Sequence, residues 1–149
     1  MARVLGIDLG SRRIGVAVSD GLGLTAQPRT TLARHGGMRD IDAIAAAVKE
    51  ADADRIVLGL PLDCEGQEGP AAQRARVFGD KLHAALHLPV ELIDESFSTV
   101  EAEAVLLAAD VSRARRKQVV DKMAAAVILQ RWLDAQRGKE SRELEKENA

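Results

Sequence analysis

Residues 3–19 read RVLGIDLGSRRIGVAVS and decide the fold that the sequence predicts. Residues 3–8 contain an apolar run, residues 4–7, and are typical of a β-strand, and residues 14–19 form a second run rich in β-branched side chains. The residues between them contain Gly10, which indicates a turn. This stretch therefore predicts a β-hairpin at the start of the sheet.

The rest of the chain alternates between helix and strand. The predicted order begins with an edge strand over residues 24–32, a helix capped by Asp40, and a buried strand over 55–60. A helix beginning at Pro70 and a second buried strand over 90–94 follow. The chain then continues with a helix over 98–109 opened by a Ser-x-x-Glu capping box, a basic connector over 113–117, and a long helix to about residue 136. Hairpin strands followed by alternating helices and strands indicate an α/β domain with a mixed five-stranded sheet.

Length and composition limit the domain organisation. The 149 residues, 46% hydrophobic and 30% charged, suffice for one domain with a core, predicted over residues 1–136. Residues 137–149 are mostly charged and are predicted to form a disordered tail. The sequence has no long uncharged apolar stretch and no signal peptide, which predicts that the protein does not associate with membranes. Cys64 is the only cysteine, which fits the reducing environment of the cytoplasm and predicts a cytoplasmic location.

Charge and aromatic content bear on the kind of partner. The net charge is −2, and aromatic residues make up only 2% of the chain. A module that binds single strands by stacking bases on aromatic platforms is therefore disfavoured. Any nucleic acid would be held mainly through phosphate contacts, which carry no sequence information directly.

Three carboxylates stand at the edges of predicted core segments. Asp8 ends the first strand, Glu95 follows the last strand, and Asp121 opens the apolar part of the long helix. An unpaired carboxylate at a core edge costs several kcal/mol unless a cation compensates it. Carboxylate oxygens are ligands for hard divalent ions such as Mg²⁺. Three acids converging on such ions would form a phosphodiester-cleaving site.

Each acid also has a structural interpretation. Asp8 could cap the Gly10 turn, and Asp121 could be a first-turn helix acid that the macrodipole favours. Asp94 precedes Glu95, and because neighbouring strand residues face opposite sides, only one of the two should point into a site. The residues alone leave that choice open.

One dense basic run lies just before Asp121. It comprises Arg113, Arg115, Arg116 and Lys117, and its position favours a phosphate clamp over an ordinary solvated loop. Weaker candidates of the same kind are Arg12 and Arg13 in the hairpin turn and Arg74 and Arg76 in the helix that begins at Pro70.

Five motifs occur in order along the chain. They are GIDLG with IGVAV (residues 6–10 and 14–18), VLGLPL (57–62), RAR (74–76), DE with STVEA (94–95 and 98–102), and Asp121 before AAAVIL (124–129). With these motifs, residues 4–133 resemble the YqgF/RuvX family of Holliday junction resolvases and pre-16S rRNA nucleases, within the RNase H-like superfamily. The resemblance implies the RNase H-like fold and an acidic triad at Asp8, Glu95 and Asp121, so it selects Glu95 over Asp94.

Two positions depart from the family pattern. Ser96 stands where the family usually has an arginine, and residues 63–66 read DCEG, a more acidic loop than the usual Asn-Met-Asp-Gly. Both departures bear on contacts with the substrate more than on the acidic triad.

The resemblance implies a metal-dependent nuclease that acts on structured nucleic acid. Asp8, Glu95 and Asp121 would hold two Mg²⁺ or Mn²⁺ ions, and the substrate would be an rRNA precursor or branched DNA. A non-catalytic nucleic-acid- or ribosome-associated binding module is the alternative, disfavoured because three carboxylates would repel phosphates. An actin-like ATPase is disfavoured because it needs two lobes. The apolar faces of the helices are expected to pack on the sheet, and the charged tail lacks heptads, which predicts a monomer or a weak homodimer.

Overall fold

Nine secondary-structure elements make up residues 2–148, the part of the chain that this computed structural model describes. They are β1 (Arg3–Leu9), β2 (Arg13–Ser19), β3 (Ala26–Ala33), α1 (Gly37–Ala51), β4 (Ala53–Leu60), α2 (Pro70–Leu86), β5 (Val90–Asp94), α3 (Ser98–Ala108) and α4 (Arg113–Glu147). Met1 and Ala149, the outermost positions of the two predicted segments, lie outside the described residues.

The five strands form one mixed sheet in the order β3-β2-β1-β4-β5. β2 pairs antiparallel with both β1 and β3, whereas β1, β4 and β5 run parallel. The predicted α/β architecture with a five-stranded mixed sheet is confirmed. Because parallel strands end at the same edge, the carboxyl ends of β1, β4 and β5 meet there.

Each face of the sheet has its own hydrophobic cluster. Leu5 and Ile7 of β1 pack with α1 and α2 on one face. Val57 of β4 packs with α4 residues such as Ile128 and Leu129 on the other face. Alternation along β1 therefore directs Gly6 and Asp8 toward α4. α3 packs against α4.

Two predicted helix starts differ from the structure. α1 begins at Gly37, and the buried Asp40 lies in its first turn, where its carboxylate accepts hydrogen bonds from the backbone N–H groups of His35 and Gly36. The Ser-x-x-Glu capping box of α3 does not form, because Ser98 is already helical and Phe97 occupies the N-cap position. Glu101 instead accepts a hydrogen bond from Arg131 at 2.7 Å.

The predicted basic connector belongs to α4. Ser112 is the N-cap, and its hydroxyl accepts a hydrogen bond from the backbone N–H of Arg115, so the helix begins at Arg113. Arginine and lysine are good helix formers, and no proline or glycine interrupts this run. Asp121 therefore lies in the third turn of α4 rather than the first.

The segment predicted to be a disordered tail is helical as far as Glu147. Arg137 links its beginning to the rest of the molecule by donating a hydrogen bond to the carbonyl of Leu24. Extending an existing helix needs no new nucleation, and the many Glu, Lys and Arg residues of this segment favour the helical state. The division of the chain near residue 136 stays a prediction.

None of the helices described within residues 2–148 is long and apolar enough to span a membrane.

Candidate active site

Asp8 occupies the middle of three neighbouring strand positions that face α4. Gly15 of β2 lies directly opposite Asp8 in the antiparallel pair. Gly59 of β4 lies on the other side, one residue beyond the paired Ile7 and Leu58. We call Gly15, Asp8 and Gly59 the central row. Because glycines flank Asp8, the neighbouring strands place no side chain of their own beside it, and other elements can approach closely.

Gly15 allows the third turn of α4 to rest on the sheet. A Cβ atom placed on Gly15 would lie 2.0 Å from the backbone oxygen of Asp121. Such a distance is far below a van der Waals contact, so only glycine fits here. The close approach brings Asp121 beside the central row. A first-turn macrodipole role does not apply to Asp121, because the first turn is two turns earlier.

Gly59 provides the matching space for Glu95. A Cβ atom on Gly59 would lie 2.9 Å from Glu95 Oε2. The backbone N–H of Glu95 donates to the carbonyl of Leu60 at 3.2 Å, which fixes the chain as it leaves β5. Glu95 thus extends over β4 toward Asp8.

Asp94 has a different environment. Its carboxylate accepts hydrogen bonds from the backbone N–H and the hydroxyl of Ser96, at 2.8 and 2.5 Å. These bonds are the main reason that the pKa of Asp94 lies below its usual value. Arg131 donates to the carbonyl of Asp94 at 3.1 Å. Asp94 and Ser96 therefore shape the connection from β5 to α3, while Glu95 is the acid that meets Asp8.

The carboxyl groups of Asp8 and Glu95 are hydrogen bonded to each other. Burial is the largest cause that raises the pKa of each. Their hydrogen bond lowers the pKa of Asp8 and raises that of Glu95, which reaches about 8. Repulsion from Asp121 also raises the pKa of Asp8. At neutral pH, Glu95 is therefore the protonated partner, and its carboxyl group donates the hydrogen bond that the Asp8 carboxylate accepts.

Asp121 is paired with a cation instead. Arg13 Nε lies 2.6 Å from Asp121 Oδ2. Among residues 2–148, no three Asp, Glu, His or Cys side chains are arranged as a ready metal-binding cluster. The predicted three-ligand set is thus not preassembled, and the Asp121 carboxylate is paired with the Arg13 guanidinium.

The chemistry of the donor set nevertheless fits a divalent ion. Asp8 and Glu95 share a proton because two buried carboxylates cannot both be ionised without a compensating cation. Arg13 supplies such a compensating charge to Asp121. The central row lets the other two acids approach Asp8, because α4 brings Asp121 onto Gly15 and Glu95 lies over Gly59. Asp8, Glu95 and Asp121 are therefore the residues that would hold Mg²⁺ or Mn²⁺.

The shared proton predicts how stability depends on pH. Folding raises the pKa of Glu95 from 4.5 to about 8, so the folded protein binds more protons than the unfolded chain across that range. Without metal, the free energy of unfolding should then fall as pH rises from about 5 to 8. In Glu95→Gln this decline should largely disappear, and at about pH 8.5 the variant should melt roughly 2–8 °C above the wild type, which corresponds to about 1–2 kcal/mol.

Thermal denaturation in chelator at several pH values measures this effect. Glu103→Gln, at an exposed position of α3, is the matched control and should follow the wild-type profile. A Glu95→Gln profile with the wild-type slope would show that Glu95 is not protonated in the folded state.

The predicted phosphate-binding residues have different environments. Arg113, Arg115 and Lys117 are exposed on the first turns of α4, and Lys117 lies one turn before Asp121. Arg116 is half-buried and donates to the carbonyl of Val111, and Arg76 is paired with Glu68. Arg12 is exposed in the β1–β2 turn, and Arg74 is exposed on α2. Of the eight residues, the structure brings Arg13 into contact with a predicted site carboxylate.

Phe97 is a candidate that the sequence did not single out. It lies two residues after Glu95 with 75% of its surface exposed, and its φ of 62° places it in the left-handed region that favours glycine. Residues held in such a backbone conformation cluster at functional sites. The only sequence signal for Phe97 was its position two residues after Glu95.

Comparisons with known proteins show which family the chain is similar to. The model of the family described as RuvX, Holliday junction resolvase, matches residues 2–135. A Myxococcus xanthus relative named for pre-16S rRNA nuclease activity is 54% identical over 135 residues, which cover 91% of this chain and 89% of the relative. A Pelotomaculum thermopropionicum relative with the same name is 50% identical over 135 residues, covering 90% of this chain and 88% of the relative.

Solved structures share the fold at low sequence identity. T. thermophilus RuvC in complex with a Holliday junction substrate matches with a TM-score of 0.53 and 16% identity, covering 93% of this chain and 97% of that chain. The Fowlpox virus resolvase in complex with Holliday junction DNA matches with a TM-score of 0.58 and 8% identity, covering 89% and 97%. These likenesses confirm the predicted RNase H-like fold. With the family model and these relatives matching most of its length, the chain belongs to the RuvX family.

Proposed function

We propose that the chain is a divalent-metal-dependent nuclease that hydrolyses phosphodiester bonds in structured nucleic acid. The observation that carries this proposal is the half-buried Asp8–Glu95 pair beside Asp121, at the carboxyl edge of the sheet. Such a pair lowers the stability of the folded protein, because burial disfavours the ionised form of its carboxyl groups. In a protein of this family, the acidic pair is useful only if a cation and a substrate phosphate occupy the site together.

The chemical step is hydrolysis. A water oxygen forms a bond to phosphorus, the bond from phosphorus to the leaving oxygen breaks, and a proton moves to that leaving oxygen. When bound, two Mg²⁺ or Mn²⁺ ions would supply Lewis-acid stabilisation of the attacking and leaving oxygens. Asp8, between the other two acids, would be the shared ligand, and Glu95 would release the proton that it shares with Asp8.

Arg13 has two alternative anionic partners in this scheme. It holds Asp121 at 2.6 Å, and half of its own side chain is exposed. A substrate phosphate would take over the guanidinium, since arginine binds phosphate and carboxylate oxygens with the same geometry. The exchange would free Asp121 to join Asp8 and Glu95.

The substrate is structured RNA or branched DNA. Relatives are named for pre-16S rRNA nuclease activity, and the family model is described as a Holliday junction resolvase. Symmetric resolution of a junction needs two active sites related by a twofold axis, whereas a single cut in RNA needs one. A monomer or weak homodimer, which the sequence predicted, would favour RNA. The expectation that the helices pack all their apolar side chains on the sheet is not met in α3, where Val100, Val105 and Leu107 are exposed.

The proposal is tested by cleavage of two end-labelled substrates side by side. One is an rRNA precursor that carries the 5′ extension of 16S rRNA, and the other is a four-way DNA junction. With Mg²⁺ or Mn²⁺ the wild-type protein should cut at least one of them, and excess chelator should lower the rate by about 10³-fold or more.

The products identify the activity. Single cuts in the RNA indicate rRNA processing, and paired symmetric cuts in the junction indicate resolution by a dimer. Tight binding of either substrate without cleavage under any metal condition would contradict the proposal and favour a non-catalytic binding module.

A further inference from the structure

A cavity of about 330 Å³ lies on the face of the sheet opposite α4, between α1 and α2. Leu9, Ile41 and Phe78 form an apolar floor, and Val77 adds an apolar wall that is 51% exposed. Leu9 directly follows Asp8 in β1, so the cavity lies at the same edge of the sheet as the carboxylates but on the other face.

Cations line the rim of this cavity. Arg34, Arg74 and Lys81 contribute side chains to its lining. The one acid there, Asp40, is paired with Arg34 and accepts two backbone hydrogen bonds. Arg74 and Lys81 lie seven residues apart on one face of α2, and neither has an ion-pair partner within the described chain. The rim therefore presents two uncompensated positive charges beside an apolar floor.

Arg34 connects this cavity to the hairpin turn of the candidate active site. Its guanidinium lies 6.0 Å from the centre of the Phe78 ring and donates to the carbonyl of Gly10 at 3.0 Å. Its backbone N–H donates to the carbonyl of Arg12 at 2.9 Å. A nucleic-acid strand that runs from the three carboxylates across this turn would reach the cavity next.

We propose that this cavity binds a phosphorylated nucleoside, with the base on the apolar floor and the phosphate on Arg74 and Lys81. A bare phosphate would leave the exposed apolar wall uncovered, and an uncharged apolar ligand would leave the two cations unpaired. The volume is at the lower end of the range for ligand sites, so it suits one nucleotide. The proposal rests on the proposed function, because the expected occupant is a nucleotide of the substrate strand. A free nucleotide carries the same base and phosphate and would make the same contacts.

Methyl NMR of the metal-free wild-type protein tests this proposal without measuring cleavage. Free uridine 5′-monophosphate and a single-stranded RNA oligonucleotide are titrated separately, and the methyl signals of Leu9, Ile41 and Val77 are followed. Both ligands should shift these signals in a saturable way. Arg74→Ala/Lys81→Ala, which changes two exposed side chains, should raise the dissociation constant of each ligand by about tenfold or more. Lys49→Ala, at the far end of α1, is the control and should leave both values unchanged.

The two ligand sources give different results. If the oligonucleotide shifts the methyl signals and displaces the mononucleotide, the occupant belongs to the substrate strand. If the mononucleotide alone shifts them, the cavity is a site for a free nucleotide. Absence of both effects, or unchanged affinity in the double variant, would overturn the proposal. A protein that binds at this cavity but does not cleave would contradict the proposed function alone.

Discussion

Asp8→Asn should abolish cleavage, lowering the rate by about 10³-fold or more. Asp8 lies between Gly15 and Gly59 and hydrogen bonds to Glu95, so it is the acid best placed to share metal ions with both other carboxylates. The amide keeps the size of the side chain but is a poor ligand for Mg²⁺. Affinity for nucleic acid should be retained or increase, because the substitution removes a negative charge that repels phosphate.

Single-turnover cleavage and a separate binding titration distinguish these two effects. Asp42→Asn, at an exposed position of α1 on the other face of the sheet, is the matched control and should cleave at the wild-type rate. An Asp8→Asn protein that cleaves at a rate near that of the wild type would exclude Asp8 from the metal site.

Gly15→Ala should destabilise the protein by about 3 kcal/mol or more and lower the melting temperature by roughly 6–12 °C. The new methyl group would lie 2.0 Å from the backbone oxygen of Asp121, and backbone atoms cannot move aside as a flexible side chain can. α4 must therefore shift away from the sheet, and Asp121 moves with it. Cleavage should fall even where the variant remains folded.

Two further glycines calibrate this result. Gly21→Ala adds a methyl group with nothing within 4 Å and should change the melting temperature little. Gly59→Ala meets side-chain atoms of Glu95 and Ile128, which can shift, so its destabilisation should be smaller than that of Gly15→Ala. A Gly15→Ala protein as stable as the Gly21→Ala protein would show that α4 does not rest on Gly15.

Much of the fold could be predicted because the hairpin and the two buried strands are local patterns. The apolar runs of residues 3–8 and 55–60 and the turn at Gly10 are readable one at a time. The start of α4 and its extension to Glu147 could not be read this way. Charged residues that favour helices also occur in connectors and tails, and sequence alone does not tell these cases apart.

The candidate site was only partly predictable. Asp8, Glu95 and Asp121 stood out because each is an acid at the edge of an apolar segment. The central row depends on strand register, which places Gly15 opposite Asp8, and the Arg13–Asp121 pair joins residues 108 positions apart. The isolated glycines of β2 and β4, Gly15 and Gly59, were the available signal of a close approach. Which element would approach could be seen only in three dimensions.

The most direct test of the metal site is to map where a divalent ion binds in the wild-type protein. Fe²⁺ is loaded in place of Mg²⁺, and ascorbate with peroxide then generates radicals that cut the polypeptide next to the ion. Cuts are expected in three separate segments, around Asp8, Glu95 and Asp121. Excess Mg²⁺ or Mn²⁺ should suppress them, and Asp8→Asn should lack them. Cuts confined to other segments, or an unchanged pattern in Asp8→Asn, would contradict a divalent-metal site at these three carboxylates.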